Sequence, residues 1–346
     1  MRFNLVVPRC SEGLVLLKAC TRLPLSLRLW SYVLMTRNIE IATTAWCWEQ
    51  LGPAEVLCRQ AETAEKMGFH SFWLPENHFG ERSAIPSPLM LLAAISGRTQ
   101  RMLLGCTSYL LPIRHPLLAA EEVAVLDQLC GGRLILGLGR GVQPAMFAAL
   151  GVEVEDKRKL FGDHLDLMRS AWRGDPVAHD KQGEPVYLSP LPLQRPAPPL
   201  WVAAFGPLAL QQVASLGLPY LASPLESIDT LQQNYDRYRQ LVAEAGLPQV
   251  VTTPVMRTVF VTKSTRLSDE LRRAITKQLP APMRDKAGEL DNWAIVGDAQ
   301  YVRDKLDEYQ DRLGITHLIV RAGISAVGEQ EQLRSHECLL RTVGAR

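Results

Sequence analysis

Apolar and polar positions follow two rhythms along this chain, and residues 114–141, RHPLLAAEEVAVLDQLCGGRLILGLGRG, carry both. Leu118, Val123, Val125, Leu126 and Leu129 recur at roughly helical spacing, Gly131-Gly132 stops the helix, and Leu134-Ile135-Leu136 resumes as a buried strand. The alternation repeats from Asn38 onward. It predicts strands over 39–43, 71–74, 102–111, 134–138, 200–204, 220–222, 256–261 and 317–320. Helices are predicted over 53–67, 87–98, 117–130, 162–172, 208–216, 228–245, 268–278, 298–313 and 329–343. Between residues 177 and 199, Pro185, Pro190, Pro192, Pro196, Pro198 and Pro199 impose an irregular excursion with room for a short hairpin around Val186 to Leu188. About eight strand-helix units with no run of strands alone predict an α/β fold, a (β/α)8 TIM barrel with a Pro-rich excursion before its fifth strand. A doubly wound open sheet is the rival architecture.

Composition narrows the class of partner. The chain has 346 residues, 47% hydrophobic and 21% charged, enough for one barrel or two ordinary domains. Its 38 basic and 36 acidic residues leave a formal charge of +2, so no field is built to hold nucleic acid or an anionic membrane, and a small-molecule site is expected. Cys10, Cys20, Cys47, Cys58, Cys106, Cys130 and Cys338 form no Cys-x-x-Cys pair, which argues against a disulfide framework and a structural zinc and for a cytoplasmic setting. His70, His164, His179, His317 and His336 show no metal-ligand spacing, so no metal site is expected. Residues 1–37 differ from the rest: six basic residues stand against Glu12, and their apolar run is broken by Lys18, Arg22, Pro24 and Arg28. They read as an atypical extension, disordered or upstream of a functional start at Met35, and leave 38–346 as the barrel.

A barrel of this kind keeps its chemistry after the carboxyl ends of the strands. There the chain places Pro75-Glu76-Asn77-His78-Phe79-Gly80, Pro112-Ile113-Arg114-His115-Pro116, Gly137 to Gly141, Phe205-Gly206-Pro207 and Arg321-Ala322-Gly323. Segments before strands, such as Gly246-Leu247-Pro248, are ordinary turns. The glycines around Arg140 let backbone amides approach a ligand beside a fixed positive charge, although GLGRG is not the G-x-G-x-x-G of a dinucleotide fold.

Three separated motifs, FWLPENHF at 72–79, LLPIRHPLLAAEEVAVLDQLCGGRLILGLGRG at 110–141 and VGDAQYVRDKLDEYQDRLGITHLIVR at 296–321, resemble those of the bacterial luciferase-like flavin monooxygenases. The resemblance runs from Asn38 to the end. It implies a barrel that binds reduced FMN at the carboxyl rim, or in a sister branch the deazaflavin F420, and that often pairs into dimers. In the monooxygenase branch it implies that reduced flavin, delivered by a separate flavin reductase, adds O2 to form a C4a-hydroperoxide that oxygenates a small apolar substrate in a water-excluding pocket.

Residue by residue, the resemblance gives Arg140, flanked by Gly139 and Gly141, to the flavin phosphate, a role that a forked guanidinium suits. Cys106, Thr107 and Ser108 match the strand end beneath the flavin ring, where the family carries a cis peptide, here between Thr107 and Ser108. The acid and hydroxyl residues that bind phosphate after the fifth strand are replaced by Ala204 and Phe205, leaving Gly206 and the following helix terminus to offer amides. Where the family's base is a histidine this chain has Asn77, which cannot accept a proton, so His78 becomes the candidate base and Glu76 its positioning acid. Asp127 and Arg133 are expected to brace the helix-to-strand turn, His115 to cap a helix, and Glu121 and Glu122 to complement a helix dipole. Trp46, Trp48 and Tyr109 are candidates for a substrate pocket or for core packing. The expected activity is therefore flavin-dependent monooxygenation by a homodimer, with F420-dependent hydride transfer and a non-catalytic flavin-binding partner subunit as the alternatives.

Overall fold

The computed structural model describes residues 39–47, 55–79, 84–279, 288–324 and 326–344, so the extension at 1–37 and the candidate Trp48 lie outside the described residues. Strand and helix alternate through β1 Glu40–Thr44, α1 Glu55–Met67, β2 Ser71–Leu74, α2 Pro88–Ser96, β3 Leu103–Leu110, α3 Pro116–Leu129 and β4 Leu134–Gly139. Two helices follow, α4 Pro144–Ala149 and α5 Lys157–Arg173, then a hairpin of β5 Ala178–His179 and β6 Pro185–Val186. The alternation resumes with β7 Leu200–Ala203, α6 Pro207–Leu216, β8 Tyr220–Leu221, α7 Ile228–Glu244, β9 Pro254–Val261 and α8 Thr265–Gln278, and closes with β10 Ala294–Gly297, α9 Ala299–Leu313, β11 His317–Arg321 and α10 Glu329–Val343. Helix starts follow local chemistry. Proline opens α2, α3, α4 and α6 where no amide is needed, and the side chains of Ser227, Ser264 and Asp298 cap α7, α8 and α9. No helix among the described residues is long and apolar enough to cross a membrane.

Nine strands form one curled sheet in the order β10-β9-β11-β1-β2-β3-β4-β7-β8, and every pairing in it is parallel. The long β9 serves two neighbours: Pro254 to Thr258 pair with β11, and Thr258 to Val261 pair with β10. Among the described residues β8 and β9 share no ladder pairing. Tyr235 on α7 stands at that seam, its hydroxyl 3.1 Å from the Tyr220 carbonyl oxygen of β8 and 2.7 Å from the Pro254 carbonyl oxygen of β9.

The concave face of the sheet is filled by a plug. Ala42, Trp73, Ile135, Trp201, Leu221, Met256 and Ile319 pack together, one from each of β1, β2, β4, β7, β8, β9 and β11, with Leu103 of β3 against them. The indoles of Trp73 and Trp201 stack at 4.9 Å, and the Trp73 ring fills the space a side chain at Gly105 would need. Below the plug, the His317 ring packs 5.0 Å from Trp201 and 5.3 Å from His70.

The structure corrects several expectations. The segment before α9, read as loop, contains β10, a short strand whose AIVG run follows a region with no clear period. The six-residue α4 was not expected, being too short to show a repeat. The hairpin lies earlier than expected, turning at residues 180–184 under Asp180, whose carboxylate accepts from the Gln182 and Glu184 amides. On α3 the apolar repeat marked the buried face only in part: Val123 and Leu126 pack inward together with Ala119, Ala120 and Ala124, whose small side chains let the helix lie close to the sheet, whereas Leu118, Val125 and Leu129 are exposed. His115 occupies the N-cap position of α3 without a side-chain capping bond. Asp127 is buried and binds the Pro-rich excursion, accepting from the Gln194 amide at 2.8 Å and its Nε2 at 2.7 Å, while Arg133 donates to Ser96, Thr99, Met102 and Cys130.

Two predictions follow from the seam and the plug. Tyr235→Phe, which strips the hydroxyl but keeps the ring, lowers the free energy of unfolding in urea by about 1–2 kcal/mol. Burial, aided by neighbouring His70, pushes the His317 pKa down to about 4 from 6.5, and burial pushes His336 down to about 3. The folded state thus holds both rings neutral, so stability is level above pH ~6.5 and falls as acidification approaches pH ~4. His317→Leu reduces the loss measured between pH 7.5 and 5.

Candidate active site

The carboxyl ends of β2 and β3 are joined by one carboxylate. Glu76 follows β2, its side chain fully buried, and Oε1 lies 2.6 Å from Arg114 Nη2 and 2.6 Å from His78 Nε2. Its Oε2 accepts from the Leu110 amide of β3 at 2.9 Å. Arg114 also donates to the Leu110 carbonyl oxygen at 2.7 Å and lies 4.0 Å over the Tyr109 ring, whose hydroxyl donates to Glu122 at 2.8 Å. A buried carboxylate with charged and amide donors on both oxygens is a satisfied group, and it fixes His78 by one ring nitrogen. Asn77 is a clasp: its Oδ1 accepts from the Ile85 amide at 2.7 Å and its own amide donates to the Ile85 carbonyl oxygen at 3.1 Å. Of the aromatic candidates, Tyr109 is buried, and Trp46 is core, packed edge-on against Phe72 and His336.

Next to this acid the backbone opens. The β3–β4 register shifts between Cys106 and Tyr109, leaving Thr107 and Ser108 half-buried at the rim and outside the ladder, and the peptide between them is cis. A bulge of this kind re-aims side chains at a sheet end. Cys106 is buried, and burial pushes its thiol pKa well up, so it is an unreactive thiol rather than a thiolate. Gly137 of β4 is required by contact, because a Cβ there would collide with the Cys106 carbonyl oxygen.

Arg140 follows β4 and is almost fully buried. It donates from Nη1 to Gln212 Oε1 at 2.8 Å and from Nη2 to the Ala203 carbonyl oxygen at 2.6 Å, and it lies 5.2 Å from the Phe161 ring. Both acceptors are neutral, and no carboxylate among the described residues pairs with it. Burial, with neighbouring Arg158, lowers its pKa to about 10. Lys157 reaches the Gly141 carbonyl oxygen at 3.5 Å, so three cations gather at this end of β4. Gly206, at φ 83°, starts α6 with open space around it, and Phe205 beside it is 66% exposed. A desolvated guanidinium held by neutral acceptors, beside glycines and a free helix terminus, fits a phosphate. The expected cofactor residues Cys106, Thr107, Ser108, Gly139, Arg140, Gly141, Phe205 and Gly206 therefore border the carboxyl ends of three consecutive sheet neighbours, β3, β4 and β7. A wider cavity of about 420 Å3 near the start of α8, walled by Arg266, Glu270, Glu331 and Arg334, includes none of them.

The family model described as luciferase-like monooxygenase matches residues 33–332. The chain belongs to the luciferase-like monooxygenase family. It is 33% identical over 162 residues to protein y4wF of Sinorhizobium fredii, 45% of this chain and 47% of that protein, so the chain spans about half the length of the curated relatives it matches. It is 24% identical over 288 residues to the oxygenase component of the flavin-dependent trigonelline monooxygenase of Acinetobacter baylyi, covering 72% of this chain and 78% of that one. Among solved structures, monooxygenase RslO1 of Streptomyces bottropensis superposes with TM-score 0.76 at 23% identity, over 88% of this chain and 98% of that one. The FMN complex of the oxygenating constituent of 3,6-diketocamphane monooxygenase from Pseudomonas putida superposes with TM-score 0.74 at 20% identity, with the same coverage. These likenesses show the luciferase-like fold.

In this luciferase-like chain, sequence reasoning passed over Arg114, Gln212, Lys157 and Arg158 as site residues. The signal for Arg114 was present, since it stands in the segment after the third strand; Gln212, a mid-helix glutamine 72 positions from Arg140, gave none. Removing the shared acid tests the joint it makes. Glu76→Ala leaves Arg114 and the Leu110 amide without their acceptor and lowers the unfolding free energy by about 3 kcal/mol or more, measured in urea. Glu76→Gln, which keeps an acceptor for the amide, loses less.

Proposed function

We propose that this chain is a flavin-dependent monooxygenase that uses reduced FMN and O2 to oxygenate a small apolar organic substrate. In this reading the curled sheet is a (β/α)8 barrel, residues 38–346 work as one catalytic unit, a separate reductase supplies reduced FMN, and the chain acts as a cytoplasmic homodimer. The observation that carries the proposal is Arg140, a buried guanidinium with only neutral acceptors at the carboxyl rim of the sheet. An isolated buried cation is costly, and a phosphate supplies the charge it lacks.

Arg140 would hold the FMN phosphate, with Gly139, Gly141, Gly206 and the start of α6 offering backbone amides. Cys106, Thr107, Ser108 and Phe205 would border the ring. Bound reduced FMN supplies the activation of O2. The protein's part is orientation, exclusion of water and handling of one proton. Glu76 accepting from His78 Nε2 leaves Nδ1 of the neutral imidazole as the acceptor, so His78 is the base and Asn77, spent on Ile85, is its structural neighbour.

The test is a titration of the full chain with FMN and with riboflavin. Arg140→Ala weakens FMN by ~1.5–3 kcal/mol and leaves riboflavin nearly unchanged. Equal losses for both ligands remove the assigned role. Oxygen uptake by the pure chain given reduced FMN then separates an oxygenase from an F420 enzyme and from a non-catalytic partner subunit.

A further inference from the structure

Strand alternation sets the layer above the plug. Two residues past Ala42, Ile135, Trp201, Met256 and Ile319, on the same concave face, come Thr44, Gly137, Ala203, Thr258 and Arg321. Four of these are small, and Arg321 is the long one. It pairs laterally with Thr258, which in turn pairs with Ala294 of β10, so it stands where β9 hands over from one neighbour to the next. Arg321 and Trp293, the residue before Ala294, wall one cavity of about 70 Å3 with Leu225, Thr258, Ile275 and Ile324.

Of the polar side chains there, Arg321 and Trp293 can only donate, and Thr258 adds a hydroxyl. Among the described residues the Arg321 side chain has no hydrogen-bond or ion-pair partner, and the indole N–H of Trp293, shut off from solvent, has no acceptor. Arg321 is open to solvent, yet enough protein surrounds it to lower its pKa by desolvation, as befits a group lining a concavity. An arginine can only donate, so the complementary ligand is an acceptor, and the guanidinium favours an anion. Arg321 and Arg140 stand on strands four ladder steps apart, with β1, β2 and β3 between them, so each lines its own stretch of the rim.

We propose that Arg321, beside the Trp293 indole, forms a recognition subsite for an anionic head group, of the carboxylate class, on the substrate. The apolar walls Leu225, Ile275 and Ile324 receive the adjoining carbon chain. The proposal rests on the reading of the strand carboxyl rim as the active site, and it makes the substrate an amphiphile with one charged end.

The test is calorimetric titration of the full chain with octanoate and with octanol, alongside FMN. Octanoate binds the unaltered protein more tightly than octanol, and its affinity falls with added salt. Arg321→Met weakens octanoate about tenfold or more, while octanol and FMN affinities stay unchanged. Arg321→Lys restores part of the loss. Because Arg321 has no protein partner, Arg321→Met melts no lower than the unaltered chain. Octanoate affinity that is absent, equal to that of octanol, or indifferent to Arg321→Met overturns the proposal, as does a loss of FMN affinity without a loss of octanoate. Failure of FMN to bind at all, with the octanoate results as expected, removes the flavin reading and leaves the anion subsite standing.

Discussion

The packing of Trp73 against Gly105 and Trp201 governs what the rest of the sheet can do. Two stacked indoles, with a glycine opposite, fill the concave face from β2 to β7, and aliphatic side chains from β1, β4, β8, β9 and β11 close around them. No ligand can enter a layer packed to this density. One layer up, toward the carboxyl ends, the next inward residues Thr44, Gly137, Ala203 and Thr258 are small and Arg321 is long. The same close approach recurs one layer up, where Gly137 admits the Cys106 carbonyl oxygen at the bulge.

Charges at this rim fall into two kinds. Glu76 is buried but complete, with Arg114, His78 and the Leu110 amide on its two oxygens, and such a joint fixes the ends of β2 and β3 relative to each other. Arg140 is buried and incomplete, since Gln212 and the Ala203 carbonyl oxygen align it without neutralising it. Folding stability alone does not favour the second arrangement, because desolvating a cation costs more than two neutral acceptors return. Its position beside Lys157 and Arg158 compounds the cost. A bound anion resolves both.

Much of the fold was legible in the chain because buried parallel strands and amphipathic helices leave strong periods: β2 and α10 match their expected bounds, and other elements shift by a few residues. The misses have local causes. The AIVG strand β10 is four residues long and gains its identity from β9, a partner 36 positions earlier at Thr258. On α3, counting large apolar residues pointed to Leu118, Val125 and Leu129, but close helix-sheet packing selects alanines, which a hydrophobicity rhythm underweights. For the site, the strand-end rule and the family motifs led to Glu76, His78, the 106–108 segment and Arg140. They could not reveal that Asn77 clasps Ile85 or that Gln212 aligns Arg140, because those bonds depend on loop and helix geometry with no sequence period.

Arg140 and Arg321 differ in how the protein treats them, and the difference bears on what each can hold. Arg140 is aligned by two hydrogen bonds and backed by Phe161, so its fork is already set when a ligand arrives and little orientation is lost on binding. That suits a group whose geometry never varies, such as a cofactor phosphate. Among the described residues Arg321 is held only by its backbone in β11, with the Trp293 indole in the same cavity wall. A guanidinium free to adjust can follow head groups on chains of differing length, at the expense of ordering the side chain on each encounter. Rigid anchorage on the β4 side and adaptable capture on the β11 side would let one invariant ligand and a narrower or broader set of second ligands meet above the same plug.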